Sequence, residues 1–288
     1  MSRAVSVLIP VFNAEADIHD CLQGIFNDHL DKEFRCELVI IDDGSVDASA
    51  EVIDGIILPP QYTLKVIKNN VNKGITYSLR KGLDSCSGNY IFRMDVDDRW
   101  VIGRFDKQIQ FMEENPHIFL SGGAMRGLSS DKLYLPLQIA HLKLSDFMIS
   151  SPVFHPTFCF RNTKSLRQMY NVESPFDDLH SLLSLLLTDH NIANISDVLI
   201  GYNDSVHQSR LSIRYKHSRE IKFFVLRKYL AWALFKKNVL QTVDIREIIR
   251  RTALIMSCSV RDSYITRVLG FGCFLINSAI YKIFRKKR

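Results

Sequence analysis

The sequence predicts an α/β protein, a mixed but mainly parallel sheet flanked by helices, followed by a helical C-terminal extension. Three observations carry this. Short apolar runs alternate four times with segments of helical periodicity before residue 100, which is the pattern of a parallel sheet wrapped by helices. The turns after the runs are rich in Asp, Asn and Gly, as strand ends require. The hydrophobic content of 47% over 288 residues is enough to bury one large core with an appendage.

The elements follow in order. Val5 to Val11 is an apolar run ended by Pro10 and Asn13, the pattern of a strand buried on both faces. Ile18, Cys21, Leu22, Ile25 and Phe26 then recur at helical spacing. Leu38 to Ile41 is a second strand closed by Asp42-Asp43-Gly44-Ser45, after which Ser45 or Asp47 caps a helix through Val52, Ile53 and Ile56. Leu64 to Ile67 forms a third strand, and Gly74 opens a helix carrying Ile75, Leu79 and Leu83. Tyr90 to Met94 is a fourth strand that runs into Asp95-Val96-Asp97-Asp98. Ligands of such sheets sit beyond the carboxyl ends of the strands, where both acidic turns fall. After a helix from Arg104 to about Glu114 the alternation stops. Gly122 to about Pro156 reads as irregular, His155-Pro156-Thr157-Phe158 leads into a short apolar run, Leu179 to Leu187 reads as a helix, and Ile195 to Ile200 as a last strand.

Charge divides the chain in two. Residues 213–288 hold 18 of the 37 Lys and Arg but only 4 of the 31 Asp and Glu. The boundaries expected are therefore a main α/β domain at 1–212 and a basic, amphipathic helical region at 213–288. An acidic body with a basic tail argues against a nucleic-acid partner, whose site would carry the positive charge, and suggests an anionic surface for the tail. The six cysteines have neither zinc-site spacing nor the density of a disulfide scaffold. Met1-Ser2-Arg3-Ala4 passes straight into a strand without the n-, h- and cleavage regions of a signal peptide, so a cytoplasmic location is expected.

Asp95 and Asp97 are two apart at a strand end, which points both carboxylates to one face, and Asp98 adds a third. Such carboxylates repel and raise one another's pKa unless a cation neutralises them. Mg2+ or Mn2+, hard ions that share their shells with phosphates, fit that role. The alternative is a solvated acidic turn, or caps for the helix at Arg104.

The motifs taken together narrow the choice. Val7-Leu8-Ile9-Pro10-Val11-Phe12-Asn13, then Val39 to Asp47 around Asp42-Asp43-Gly44-Ser45, then Asn72-Lys73-Gly74, then Gly88 to Asp98 closely resemble the family 2 glycosyltransferases. The resemblance runs in order and spacing from about Val5 to Ser212. It implies the GT-A fold, a Rossmann-like nucleotide-diphospho-sugar transferase, and an inverting transfer. It also implies a donor nucleotide pocket at Pro10, Phe12, Asn13, Asp43, Lys73, Asp95 and His207. Phe12 matches the aromatic that stacks on the base, and Asp43 the carboxylate that accepts the base imide proton. Asp95 and Asp97 match the metal-site pair of the DxD motif, with Asp97 the ligand and Asp95 near ribose and metal. Asp178 matches the general base, with Asp177 beside it, and His155 and Thr157 match an acceptor-side turn. The chain departs from the family pattern at Asp177, where glutamate is usual, and at Ser184 and Ser205, where arginines are. The last change leaves the diphosphate to Lys73, Arg80 or Arg210.

Each of these residues also has a structural alternative. Asp42 and Asp43 can bond their own turn, Phe12 can be core, and Asp177 and Asp178 can favour a helix N-terminus. His155 and His207 can be structural histidines.

In the tail, Ile221, Phe224, Leu226, Leu230 and Leu234 alternate with basic residues, and Val268 to Tyr281 is uncharged before a terminal Arg285-Lys286-Lys287-Arg288. That run is shorter than the roughly 20 residues needed to span a bilayer. It suits a helix lying in the headgroup region, or one packed on the catalytic domain. The expected partners are a UDP-sugar donor, a saccharide or polyprenyl-diphosphate-linked saccharide acceptor, and an anionic membrane at the cytoplasmic face of the inner membrane. The expected process is O-antigen or capsule assembly. A nucleotidyltransferase would carry a glycine-rich, lysine-bearing loop where Val11 to Glu15 stands. A non-catalytic sugar-nucleotide-binding or scaffold protein of the same fold would need neither the metal pair nor the base.

Overall fold

Strand β1 (Arg3–Val11) is buried from Val5 to Val11, because it has a parallel partner on each side and helices over both faces. It pairs with β2 (Phe34–Asp42) from Arg3↔Phe34 to Val11↔Asp42, and with β4 (Tyr90–Arg93) from Val5↔Tyr90 to Leu8↔Arg93. β3 (Tyr62–Lys68) adds parallel to the far side of β2. Helices α1 (Ile18–Phe26), α2 (Ser49–Asp54) and α3 (Ile75–Leu83) connect these strands. α1 buries Ile18, Cys21, Leu22 and Ile25, the spacing read from sequence. α2 is shorter than expected and stops before Ile56, although Asp47 does serve its start, its Oδ1 accepting the Ser49 N–H at 3.0 Å.

The computed structural model describes residues 3–137, 152–163 and 190–205, with Met169, Tyr170, Ser181, Leu182 and Leu185. These residues all belong to one compact unit made of Met1–Leu142 and Ser151–Val225. Most of the helix expected at 179–187 and all of 206–288 lie outside the described residues; Ser181, Leu182 and Leu185 are helical and buried.

Beyond α4 (Arg104–Glu114) the sheet continues. The remaining strands are β5 (Arg99–Trp100), β6 (Ile118–Gly127), β7 (Leu133–Tyr134), β8 (Cys159–Arg161) and β9 (Asn191–Tyr202). The order is β3-β2-β1-β4-β8-β6-β9-β5, with β7 paired to β6. β8 lies antiparallel between β4 and β6, β6 and β9 are parallel with register shifts, and β5 is antiparallel to β9. The sheet is therefore mixed, as expected. β6 corrects the sequence reading, which had Gly122 onward as irregular. Gly122 and Gly123 interrupt the apolar pattern but sit inside the strand, because a Cβ at Gly122 would stand 2.2 Å from Val153 Cγ1 and one at Gly123 2.5 Å from Leu199 Cδ1.

β4 and β5 are separated only by Met94–Asp98 in the chain yet lie four places apart in the strand order. The sheet curls so that β5 returns to β4, and Phe92, Trp100 and Phe105 close the gap with ring centroids 4.6–5.7 Å apart. Arg104 locks this closure from a fully buried position. Its guanidinium lies 4.3 Å from the Trp100 ring and donates to the carbonyls of Arg93 (3.0 Å) and Phe158 (3.3 Å) and to Gln108 Oε1 (2.9 Å). Burial pushes its pKa down to about 9, which leaves it charged at neutral pH. Replacing it with alanine removes a donor from both carbonyls, of which that of Phe158 still accepts the Arg93 N–H (2.9 Å), and opens a cavity. Arg104→Ala is expected to cost about 3 kcal/mol and lower Tm by roughly 6–12 °C in thermal denaturation.

Candidate active site at the carboxyl edge of the sheet

The parallel pairing of β1, β2 and β4 sets their carboxyl ends on one edge, which gathers three separate motifs. The loops after β1 and β2 are sewn together. Asn13, Ala14 and Glu15 donate their N–H groups to Ser45 Oγ (3.0 Å), Ser49 Oγ (2.9 Å) and Asp47 Oδ2 (3.2 Å). In return Val46 N–H donates to Asn13 Oδ1 (2.9 Å) and Ala48 N–H to Glu15 Oε2 (2.7 Å). Pro10 is buried within β1, and Asn13 adopts φ 50° at the turn. Phe12, by contrast, is 45% exposed, a ring left open on a rigid loop rather than a core residue.

Asp42 and Asp43 divide their tasks. Asp42 Oδ1 accepts the Ser45 N–H at 2.9 Å, the turn role read for it from sequence. Asp43 turns the other way. Its Oδ1 accepts from Asn69 Nδ2 (2.8 Å) and Lys73 N (2.9 Å), and its Oδ2 from Gly74 N (2.8 Å), which fixes the Asn72-Lys73-Gly74 loop against β2. Gly44 permits that approach, since it has φ 75° and a Cβ there would lie 2.6 Å from the Val71 carbonyl carbon. The Lys73 side chain is exposed. Arg80 Nη1 donates to the Tyr170 carbonyl at 3.2 Å.

At the end of β4, Asp95, Asp97 and Asp98 can each bring a carboxylate oxygen within 4.8 Å of the others. Asp98 is buried. Its Oδ1 accepts the Asn203 N–H at 2.8 Å, while its Oδ2 has no hydrogen-bond partner among the described residues. Burial, with the charges of Asp95 and Asp97, raises the Asp98 pKa well above the ordinary carboxylate value. Arg93, a residue passed over in the sequence reading, is buried directly below and pairs both guanidinium nitrogens with the Asp95 carboxylate. Its signal was a charged residue in the otherwise apolar Tyr90-Ile91-Phe92-Arg93-Met94. A buried, half-satisfied carboxylate among like charges fits a divalent cation and does not fit a solvated turn.

His155 and Thr157, matched to the acceptor side by resemblance, lie in a 3-10 turn (His155–Thr157). Thr157 is fully buried, its hydroxyl donating to the Phe154 carbonyl (2.6 Å) and accepting from Gly123 N (3.1 Å), so it holds the turn onto β6. His155 Nε2 shares a hydrogen bond with the Tyr170 hydroxyl at 2.8 Å. Burial and the Arg93 guanidinium hold its pKa well below the usual histidine value. Asp177, Asp178 and His207 lie outside the described residues, as does Arg210.

The fold and this edge define a nucleotide-sugar type of α/β enzyme, and the sequence comparisons agree. The model of glycosyl transferase family 2 matches residues 6–171, and the chain belongs to that family and is a glycosyltransferase. It is similar to the amylovoran biosynthesis glycosyltransferase AmsE of Erwinia amylovora, 28% identical over 204 residues, which are 68% of this chain and 74% of AmsE. It is also similar to the putative teichuronic acid biosynthesis glycosyltransferase TuaG of Bacillus subtilis, 26% identical over 231 residues, covering 76% and 86% of the two chains. Among solved structures, S. aureus TarS 1-349 in complex with UDP-GlcNAc has the same fold, with a TM-score of 0.61 at 17% identity over 88% of this chain and 80% of that one. The mannosyltransferase PcManGT from Pyrobaculum calidifontis, in complex with GDP-Man and Mn2+, matches with a TM-score of 0.59 at 15% identity over 99% and 82%. The GT-A fold expected from sequence is thus the fold observed.

Two outcomes follow from the electrostatics. Asp98→Asn keeps the acceptor for Asn203 and removes a carboxylate whose ionised form the site disfavours, so it should stabilise the metal-free protein by about 1 kcal/mol and reduce any rise in Tm on adding Mn2+. His155 must gain a proton on unfolding below pH about 6.5, the value of an unperturbed histidine. Its contribution to stability is therefore complete above that pH and lost as pH falls towards its depressed folded value. Denaturant melts between pH 7 and 5 should show a shallower decline for His155→Gln than for the native chain.

Proposed function

We propose that the protein is an inverting, metal-dependent hexosyltransferase that moves a hexose or N-acetylhexosamine from a UDP-sugar to a saccharide acceptor in bacterial surface polysaccharide assembly. The observation that supports this most is the buried Asp98 Oδ2, without a partner among the described residues, in a three-carboxylate cluster at the sheet edge that also carries Phe12 and Asp43. Asp97 and Asp95 would hold Mn2+ or Mg2+, with Asp98 beside them. A divalent ion held there would supply positive charge for the departing diphosphate. The names of AmsE and TuaG, which place those proteins in amylovoran and teichuronic acid biosynthesis, support the polysaccharide setting.

The chain's own residues supply the rest. Phe12 offers its exposed face to the base. Asp43 has about four lone-pair positions, of which three are taken by Asn69, Lys73 and Gly74, and the fourth, on Oδ2, accepts an imide N–H such as that of uracil. Lys73, on the same loop, adds positive charge for the diphosphate, and His207, four residues beyond the Asp98-bound Asn203 in the sequence, is assigned to it by the family resemblance. Asp178, flanked by Asp177, takes the proton of the acceptor hydroxyl as that oxygen bonds to the anomeric carbon and the bond from that carbon to the diphosphate breaks. His155 contributes to the acceptor side as a neutral imidazole.

The acceptor is a lipid-linked saccharide, reached from the cytoplasmic face of the inner membrane. No helix among the described residues is long and apolar enough to cross a membrane. Membrane contact is assigned to the basic 213–288 region, whose charge suits anionic lipid.

Calorimetry tests this reading. UDP should bind in the presence of Mn2+ or Mg2+ and lose at least tenfold in affinity in chelator, and GDP should bind more weakly than UDP. Asp97→Ala should abolish the metal dependence, whereas Asp178→Asn should retain donor binding and lose about 100-fold or more in turnover. UDP binding that is indifferent to chelator, or normal turnover by Asp97→Ala, rules the reading out.

A further inference from the structure

The segment that follows the acidic cluster is gripped by helix α1, which is remote in sequence. Asp28, two residues past the end of α1, is buried and accepts three hydrogen bonds from it. Trp100 Nε1 donates to Oδ2 at 2.7 Å, Phe105 N–H to Oδ2 at 3.0 Å, and Gly103 N–H to Oδ1. The last two are orphan donors at the start of α4, so Asp28 caps a helix whose own N-cap, Gly103, has no side chain to do it.

Nearer the start of α1 the grip is repeated. Arg99 Nη2 lies 3.0 Å from Asp20 Oδ2 and 3.5 Å from Asp17 Oδ1. Between these points Gly24 lets the helix approach Trp100, a Cβ there standing 3.1 Å from Trp100 Cβ, and Cys21 Sγ lies 3.8 Å from the Asp95 carbonyl. Every residue from Asp98 to Phe105 is thus within three positions of a contact with α1 or with Asp28. The same helix begins five residues past Asn13, on the loop that presents Phe12.

We propose that Asp28 is a positioning residue for the metal site: by fixing Trp100 and the first turn of α4, it sets where Asp97 and Asp98 present their carboxylates relative to the Phe12 loop. The carboxylates of Asp95, Asp97 and Asp98 converge to within 4.8 Å of one another, and a restraint applied two residues beyond Asp98 holds the segment in that convergent geometry. A neutral amide at position 28 cannot serve, because one of its two polar atoms is a donor and would face an N–H group. The proposal rests on the metal-site reading above.

The test measures Mn2+ affinity by calorimetry on the full chain at a temperature where every variant is folded, with UDP present. Asp28→Asn is expected to weaken Mn2+ about tenfold, and Trp100→Phe, which keeps the ring packing but removes the Nε1 donor, to weaken it in the same direction. The double variant should be no worse than the more affected single one, as for residues acting through one contact. Ser6→Ala, which removes a buried hydroxyl that donates to Glu37 Oε2 (2.8 Å) and accepts the Gly88 N–H (2.9 Å) before the start of β4, serves as the control for stability alone. It should lower Tm and leave Mn2+ affinity unchanged. If Asp28→Asn lowers Tm but binds Mn2+ as tightly as the native chain, or if its effect and that of Trp100→Phe add independently, the positioning role is overturned. If the native chain itself binds no Mn2+, the metal-site reading fails instead.

Discussion

Electrostatic repulsion among three aspartates is the constraint around which this structure is arranged. Asp95, Asp97 and Asp98 are brought within 4.8 Å of one another, with Asp98 buried. In a medium of low dielectric that arrangement is unfavourable unless other parts of the fold oppose it. The fold supplies Arg93 beneath Asp95 and the Asn203 N–H to Asp98, and one oxygen of Asp98 has no partner among the described residues. A site that is compensated in part, and in one direction only, is built for an added positive charge.

The curl of the sheet explains how such a cluster can be held. Because β5 returns to β4 after only five intervening residues, the acidic segment is the seam where the two ends of the curled sheet meet. Seams of this kind need internal fastening. Arg104 ties the β4 carbonyl to the turn before β8 and stacks on Trp100, and Asp28 ties Trp100 and the start of α4 to the end of α1. On the other side of the edge, Asp43 and Gly44 fasten the loop after β3 to β2, and the paired loops after β1 and β2 keep Phe12 in the open. The acidic cluster and the exposed Phe12 ring are therefore carried by two separate loop systems, joined through α1.

Much of this was legible in the sequence, and the reason is periodicity. Val5–Val11, Leu38–Ile41 and Tyr90–Met94 are apolar but for Ser6 and Arg93 because both faces of the parallel sheet are covered, and the turn residues after them mark the edge. The helix at Arg104–Glu114 was visible in the same way. What escaped was held by long-range contact. β6 was read as irregular beyond Gly122 because its paired glycines carry no apolar signal, yet they are there to admit Val153 and Leu199. Arg93 and Asp28 looked like ordinary charges, since nothing local shows that one is buried under Asp95 and the other caps a helix more than 70 residues away. Thr157, matched by resemblance to the acceptor side, is held by Phe154 and Gly123, a contact that only the tertiary structure reveals.

The central claim, that the seam at Asp95–Asp98 is a cation site serving a nucleotide diphosphate, is open to direct sight. Crystals grown with Mn2+ and UDP, with anomalous diffraction recorded at the manganese edge, should show a single strong peak at ligand distance from the Asp97 carboxylate, with the diphosphate on its far side. A peak elsewhere, or UDP density at the Phe12 loop with no anomalous signal beside Asp97, would contradict it.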